Sequence, residues 1–205
     1  MSEATDNLSL TKCVIYRCCP ANLVLGHIKM MNDHLAIGKQ KKQSQPLAAL
    51  YCDIQNVHLT QKQAKLLLDF ARAKWRLDCL KAYYNSYFQN QLLANNQLEY
   101  LGFQGVDIPS KDKNSADKQL IFDCLKRVAI KPSPDIIILV SGDRDFAPLI
   151  SLMLAVGKTI IVFSQRDSAS KKLINLVGDD HFHYIDDLPN LFAGNTQNKA
   201  DRLSA

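Results

Sequence analysis

The sequence lacks any apolar run of the roughly 18 residues that a membrane-spanning helix requires. Its opening residues, MSEATDNLSL, also lack the basic start and the apolar stretch of a secretory signal. We therefore expect a cytoplasmic protein that does not contact a membrane.

The sequence also lacks the motifs of two common ligand sites. No G-x-G-x-x-G follows the first predicted strand, which argues against a dinucleotide-binding domain. No C-x-x-C pair occurs among the six cysteines, so a zinc site is disfavoured and reduced thiols are expected. The zinc hypothesis that this argues against would use Cys13, Cys18, Cys19, His27 and His34.

The overall charge is mildly basic, with a net charge of +5 and a pI near 8.8. This excess permits a polyanionic partner without requiring one. The motifs that carry chemistry are nevertheless acidic. That combination is typical of a metal-dependent nuclease, which needs acids to hold a cation and bases to hold a nucleic-acid backbone.

Composition divides the chain into three predicted parts. Residues 1–46 form an N-terminal arm that closes with a lysine-rich linker, in which Lys39, Lys41 and Lys42 could contact phosphates. Residues 47–193 form the folded domain, and residues 194–205 form a polar, flexible tail.

From Leu47 onward, short apolar runs that predict buried strands alternate with amphipathic segments that predict helices. Thr60, with Gln63 three positions later, is a capping box that predicts the start of the first helix. The expected strands are 47–54, 77–86, 104–109, 135–140, 158–164 and 181–185, and the expected helices are 61–75, 87–101, 116–129, 146–156 and 169–177. The alternation predicts a Rossmann-like, three-layer α/β/α fold with a central, mostly parallel sheet.

Three aspartates follow two of these strands. Asp53 ends the first strand, whereas Asp143 and Asp145 follow the strand at 135–140. If the two strands are neighbours, the carboxylates meet at one edge of the sheet, and Asp117 could join them from the first turn of its helix. Clustered carboxylates repel each other, and a divalent cation is the usual compensation.

Two polar residues and one glycine accompany these aspartates. The Asn56 amide and the Ser141 hydroxyl could orient a water molecule or a phosphate. Gly142 could serve the same pocket through its backbone, or could be needed only for its free φ. The alternative for the aspartates is a role in turns and helix caps, with Asp145 capping the helix that follows it.

Three segments carry a family resemblance: YCDIQN at 51–56, KNSADKQLIFD at 113–123 and VSGDRDFAPLI at 140–150. Together they resemble the motifs of NYN domains, which belong to the PIN-like nuclease superfamily and include the LabA-like bacterial proteins. The stretch from Ser164 through VGDDHFHYIDDL is similar to the closing part of that family, so the resemblance covers about residues 47–190. The arm before residue 47 has no recognised counterpart.

The resemblance implies a PIN-like fold and RNA cleavage that depends on Mg²⁺ or Mn²⁺. Asp123 matches a further acidic position, but it follows Asp117 by six residues and should therefore point to another side of the helix. By position, Asp53, Asp117, Asp143 and Asp145 match the acidic, metal-binding set, and Asn56 and Ser141 match its polar partners.

Several cations near these motifs are candidates for contacts to a phosphate backbone, with a solvated surface as the alternative for each. They are Lys111, Lys113, Lys118, Arg144, Arg166, Lys171 and Lys172. Tyr83, Tyr84, Tyr87 and Phe88 could stack on a single strand or could pack in the core. The expected partner is RNA, single-stranded or structured, and a homodimer is left open.

The leading hypothesis is a metal-dependent ribonuclease, acting as an endonuclease. A non-catalytic RNA-binding or regulatory module on the same fold is the alternative. A Mg²⁺-dependent phosphatase of the haloacid dehalogenase type, or a phospho-accepting receiver domain, fits less well. The phosphatase would place D-x-D directly after the first strand, where Ile54 and Gln55 follow Asp53.

Overall fold

A computed structural model of the chain describes residues 45–112 and 114–191. The predictions for the arm, including its lysines, for Lys113 and for the tail at 194–205 lie outside the described residues. Within the described ranges, no helix is both long enough and apolar enough to cross a bilayer.

The described chain forms a six-stranded sheet in which every neighbouring pair of strands is parallel. The expected α/β fold is confirmed, and the sheet is entirely rather than mostly parallel. The strands are β1 (Leu47–Asp53), β2 (Arg76–Tyr84), β3 (Gln104–Asp107), β4 (Ile136–Val140), β5 (Thr159–Ser164) and β6 (Phe182–Tyr184). Their spatial order is β3-β2-β1-β4-β5-β6.

Five α-helices connect these strands, and a helical turn at 188–191 ends the described chain. The helices are α1 (Gln61–Lys74), α2 (Gln89–Tyr100), α3 (Ser115–Ala129), α4 (Ala147–Ala155) and α5 (Lys171–Val177). Short 3₁₀ turns lie at Arg144–Phe146, Arg166–Ser168, Asp179–His181 and Ile185–Asp187.

Several predicted boundaries were wrong. The helix expected at 146–156 is a 3₁₀ turn followed by the shorter α4, because the side chain of Asp143 accepts a hydrogen bond from the Asp145 backbone and tightens the entry. The second strand ends at Tyr84 because the Asn85 backbone N–H turns to the Gln91 side chain. The third strand ends at Asp107, before the residues Ile108 and Pro109 that the sequence had assigned to it.

The helices cover both faces of the sheet. Alternate residues of β1 separate into two cores: Leu50 and Cys52 pack with α1 and α2, whereas Ala49 and Tyr51 pack with α3, α4 and α5. All seven residues of β1 are buried, as its continuously apolar sequence predicted.

The strand order reverses between β1 and β4. From β1 the chain builds outward through β2 to β3, and it then returns through α3 to place β4 on the other side of β1. The register pairs Cys52 with Val140, so both strands end at the same edge. In open parallel sheets, ligands bind in the crevice at such a switch point, at the carboxyl ends of the strands.

Candidate active site

Asp53 lies at this switch point and is buried, with 2% of its surface exposed. Its Oδ1 accepts hydrogen bonds from the backbone N–H groups of Gln55, at 3.1 Å, and Asn56, at 3.3 Å. Its Oδ2 accepts a hydrogen bond from the Ser141 hydroxyl at 3.0 Å. Three donors from the segments that follow β1 and β4 therefore fix the orientation of this carboxyl group.

Ser141 connects the carboxylate to the turn after β4. Its Oγ donates to Asp53 and accepts a hydrogen bond from the Asp143 backbone N–H at 3.2 Å. The expectation that the ends of the two strands meet is thus confirmed. Residues from the first and third family-like segments share one hydrogen-bonded chain.

Asn56 forms a second connection between these segments. Its Oδ1 accepts a hydrogen bond from the Gly142 backbone N–H at 2.8 Å. Because the oxygen faces the protein, the amide nitrogen is the atom that Asn56 can offer to a ligand. Asn56 is thereby arranged as a hydrogen-bond donor.

Gly142 is required for a close approach and not for a special φ. Its φ lies outside the left-handed region, so the explanation from backbone freedom was wrong. A Cβ at this position would lie 2.2 Å from the Ser168 carbonyl oxygen and 2.3 Å from the Ser164 Oγ. The Ser170 backbone N–H also donates to the Gly142 carbonyl at 3.2 Å. Sequence reasoning missed this support from the loop after β5, for which the glycine itself was the available signal.

Two carboxyl groups of the site are strongly perturbed. Burial, followed by the negative charge of Asp117, raises the pKa of Asp53 to about 7, against the lowering effect of its three hydrogen bonds. Burial, followed by the charges of Asp143 and Asp145, raises the pKa of Asp117 to about 6. Asp117 therefore lies within electrostatic reach of the aspartates that follow both strands.

Asp143 and Asp145 have different surroundings. The Asp143 Oδ1 accepts a hydrogen bond from the Asp145 backbone N–H at 2.9 Å and caps the 3₁₀ turn. The idea that Asp145 is the cap was therefore wrong, since Asp145 is exposed and uses only its backbone here. Its carboxylate lies 4.0 Å from the Arg144 side chain and is exposed, so it can face a ligand.

The donor set fits a hard divalent cation held partly through water. Across residues 45–112 and 114–191, no three His, Cys, Asp or Glu side chains converge closely enough to ligate one ion together. Mg²⁺ commonly uses one or two carboxylates and retains several waters. Burial and then neighbouring negative charge raise the pKa of both Asp53 and Asp117, and a cation would relieve the repulsion between the carboxylates. The metal assignment itself stays a prediction.

Asp123 points away from these groups, as its spacing from Asp117 predicted. It accepts hydrogen bonds from Lys81 Nζ at 2.6 Å and from the Tyr83 hydroxyl at 2.9 Å. These contacts tie α3 to β2, and they assign Asp123 a structural role.

Two of the predicted phosphate-binding cations are engaged within the protein. Arg166 donates to both carboxylate oxygens of Asp187 at 2.7 Å and stacks over the Tyr184 ring. Lys118 pairs with Asp112 at 2.9 Å, although both side chains are well exposed. Four further cations of the predicted set are also exposed: Lys111, Arg144, Lys171 and Lys172.

The predicted aromatic cluster divides into core and surface residues. Tyr83 is fully buried and Tyr84 is half-buried, so both pack in the core. Tyr87 and Phe88 follow β2 with 66% and 45% of their surfaces exposed.

Comparison with known proteins concerns the fold and the family of the chain. No curated protein matches the chain. A crystal structure of a protein of unknown function from Vibrio parahaemolyticus matches with a TM-score of 0.57 and 24% identity, covering 71% of this chain and 96% of that one. This likeness concerns the fold alone.

A family model covers all six strands of the described sheet. The model of the NYN domain matches residues 47–186, from the first residue of β1 to the turn after β6. NYN domains are generally nucleases and generally use divalent metals. This chain belongs to the NYN domain family.

Proposed function

We propose that this protein is a ribonuclease that hydrolyses phosphodiester bonds of RNA with Mg²⁺ or Mn²⁺. The observation that carries the proposal is the buried Asp53 carboxyl, hydrogen-bonded to Ser141 after β4 and repelled by the charge of Asp117. A buried acid with a strongly raised pKa, next to other acids in a ligand crevice, is characteristic of a functional site.

The carboxylates would hold the cation from two sides of the crevice. Asp53 offers the lone pairs that its hydrogen bonds leave free, and Asp117 offers a half-buried carboxylate from the first turn of α3. Asp143 and Asp145 add negative charge beside Asp117, which would further attract a cation. A bound divalent cation would neutralise charge on the phosphate and favour ionisation of water.

Polar side chains would orient the Asp53 carboxylate and the phosphate of the substrate. Ser141 fixes the Asp53 carboxylate, and the amide nitrogen of Asn56 is placed to donate to a phosphate oxygen. Arg144 is exposed between two acids of the site and can contact the neighbouring phosphate. These roles keep the substrate backbone beside the carboxylates.

Cleavage of a labelled single-stranded RNA in MnCl₂, compared between wild type and Asp143→Asn, tests the proposal. We expect the variant to lose at least about 100-fold in rate, the scale on which single electrostatic groups act in active sites. Asp180→Asn is the matched control, because Asp180 is exposed and precedes β6 at the opposite edge of the sheet. Equal rates of RNA loss in wild type and Asp143→Asn would reject the assignment.

A non-catalytic RNA-binding module is the second candidate. It is favoured by the finding that, in the described part of the chain, no three potential ligands converge on one point. In that case RNA would bind, but it would remain intact with either metal.

A further inference from the structure

A groove of about 470 Å³ lies between α1 and α2, on the face of the sheet that α3, α4 and α5 do not cover. It is separate from the candidate active site, and we call it the α1–α2 groove. Side chains that line it include Lys62, Lys65, Leu68, Asp69, Arg72 and Tyr100.

The charged residues of the α1–α2 groove form one stripe along α1. Lys62, Lys65 and Arg72 are spaced by three and seven residues, which places their side chains on the same side of the helix. At 1.5 Å per residue, the stripe extends over about 15 Å. This length suits an extended ligand.

The three cations form no ion pair with the part of the chain that the structure describes. No carboxylate of residues 45–112 or 114–191 lies within 4.0 Å of Lys62, Lys65 or Arg72. Asp69 is the acid among the named lining residues, so cations outnumber acids in the stripe. Uncompensated cations along a groove attract a polyanion.

Tyr100 adds an aromatic surface to this basic groove. It ends α2 with 82% of its surface exposed, and the ring is therefore open to solvent. An exposed ring beside a row of cations is the combination with which proteins bind single strands, because bases stack on the ring while phosphates meet the cations.

We propose that the α1–α2 groove binds a single-stranded segment of RNA. The inference rests on the proposed function, in which RNA is the substrate. Since α1 follows β1, it begins at the carboxyl edge, a short loop after Asn56. A strand held along the stripe can therefore continue into the candidate active site. A duplex fits less well, because its bases are stacked on each other and cannot reach Tyr100.

Fluorescence anisotropy of a labelled oligouridine with the full chain in EDTA tests the groove, because no cleavage interferes there. We expect the triple variant with Lys62→Ala, Lys65→Ala and Arg72→Ala to depend less on salt than wild type. The negative slope of log K, the binding constant, against log salt concentration should become shallower by about 2, at ~0.7 per lost phosphate contact. Tyr100→Ala should weaken binding about tenfold, and Tyr100→Phe should retain the affinity.

The matched control removes three cations elsewhere. Lys126, Lys131 and Lys158 lie in or just after α3 and α4, and their combined alanine variant has the same net charge as the groove variant. It should retain the wild-type slope. Equal slopes for the two triple variants, or no binding of oligouridine by the wild type, would overturn the inference. So would equal competition by duplex RNA or by polyglutamate.

The binding result and the cleavage result are independent. If the groove variants lose binding while wild type cuts no RNA, the groove inference stands and the nuclease proposal fails. If wild type cuts RNA and the groove variants bind normally, the groove inference alone fails.

Discussion

At the residue scale, the environment of Asp53 both favours and opposes its charge. Three hydrogen bonds stabilise the carboxylate, whereas burial and the charge of Asp117 stabilise the neutral acid. The opposing effects dominate, since the pKa is raised from 3.8 to about 7. In the absence of a cation, ionisation of Asp53 should therefore cost folding stability.

The pH dependence of stability follows from this shift. An acid with a raised pKa in the folded state contributes stability below about pH 4 that is lost as pH rises through about 7. Because asparagine does not ionise, Asp53→Asn should not lose this stability as the pH rises. We expect its unfolding free energy, relative to wild type, to rise by up to roughly 4 kcal/mol between pH 4 and pH 8, measured by urea denaturation without metal. A difference that is constant with pH would contradict the shift.

Gly142 provides a second prediction at this scale. Gly142→Ala places a Cβ against the Ser168 backbone, which cannot move as a side chain can. We expect a loss of about 1–3 kcal/mol in unfolding free energy, typical of overpacking. The control is Gly105→Ala, where the Cβ meets the ends of the Asn95 and Glu99 side chains. A cost for Gly142→Ala no larger than that for Gly105→Ala would argue against the close approach.

The positions of the acids at the strand ends were predictable from sequence, but the packing contacts around them were not. Asp53 and Asp143 follow apolar strands, and local order alone places them at strand ends. The contact of Gly142 with Ser168 depends on how the loop after β5 folds back, which no local pattern encodes. The pairing of Arg166 with Asp187 was likewise not predictable, because Asp187 follows a different strand.

At the element scale, α1 begins with a complete capping box. The Thr60 Oγ1 accepts a hydrogen bond from the Gln63 backbone N–H at 3.2 Å, and the Gln63 Oε1 accepts one from the Thr60 backbone N–H at 3.0 Å. Sequence alone predicted this start, because a capping box depends only on local residues.

Removing the cap should destabilise the fold modestly. We expect Thr60→Ala to lower the unfolding free energy by about 1 kcal/mol, because the Gln63 backbone N–H in the first turn of α1 loses its hydrogen-bond acceptor. Thr60→Ser retains the hydroxyl and should stay close to wild type in the same denaturation experiment. An alanine variant as stable as the serine variant would show that the cap contributes little.

Element types were more predictable than element ends. The buried runs of β1, β4 and β5 identified these strands, because a strand covered on both faces must be continuously apolar. The end of β2 was misplaced, because the Gln91 side chain accepts the hydrogen bond of the Asn85 backbone N–H in place of a neighbouring strand.

At the scale of the whole molecule, the candidate active site joins two halves of the sheet, and a bound cation should stabilise both. We expect saturating MgCl₂ or MnCl₂ at pH 8 to raise the Tm of wild type by about 5 °C above an NaCl control of equal ionic strength. The shift should shrink at pH 5, because protonated carboxyls bind metal poorly.

Asp53→Asn tests whether this stabilisation comes from the site. It should show a smaller metal-dependent rise in Tm than wild type, whereas Asp180→Asn should match wild type. An equal rise in all three proteins would assign the effect to metal bound elsewhere.

The strand order also determines when the candidate active site forms during synthesis. Pairing of β1 with β4 joins segments far apart in sequence, and such contacts form slowly. While β4 is still being translated, the neighbouring edge of β1 has no partner strand. The hydrogen bond from Ser141 to Asp53, and the approach of Asp143, can form only after β4 and the turn that follows it have left the ribosome and paired with β1. A polypeptide that is still being synthesised therefore lacks the assembled candidate site, whatever ligand that site binds in the finished fold.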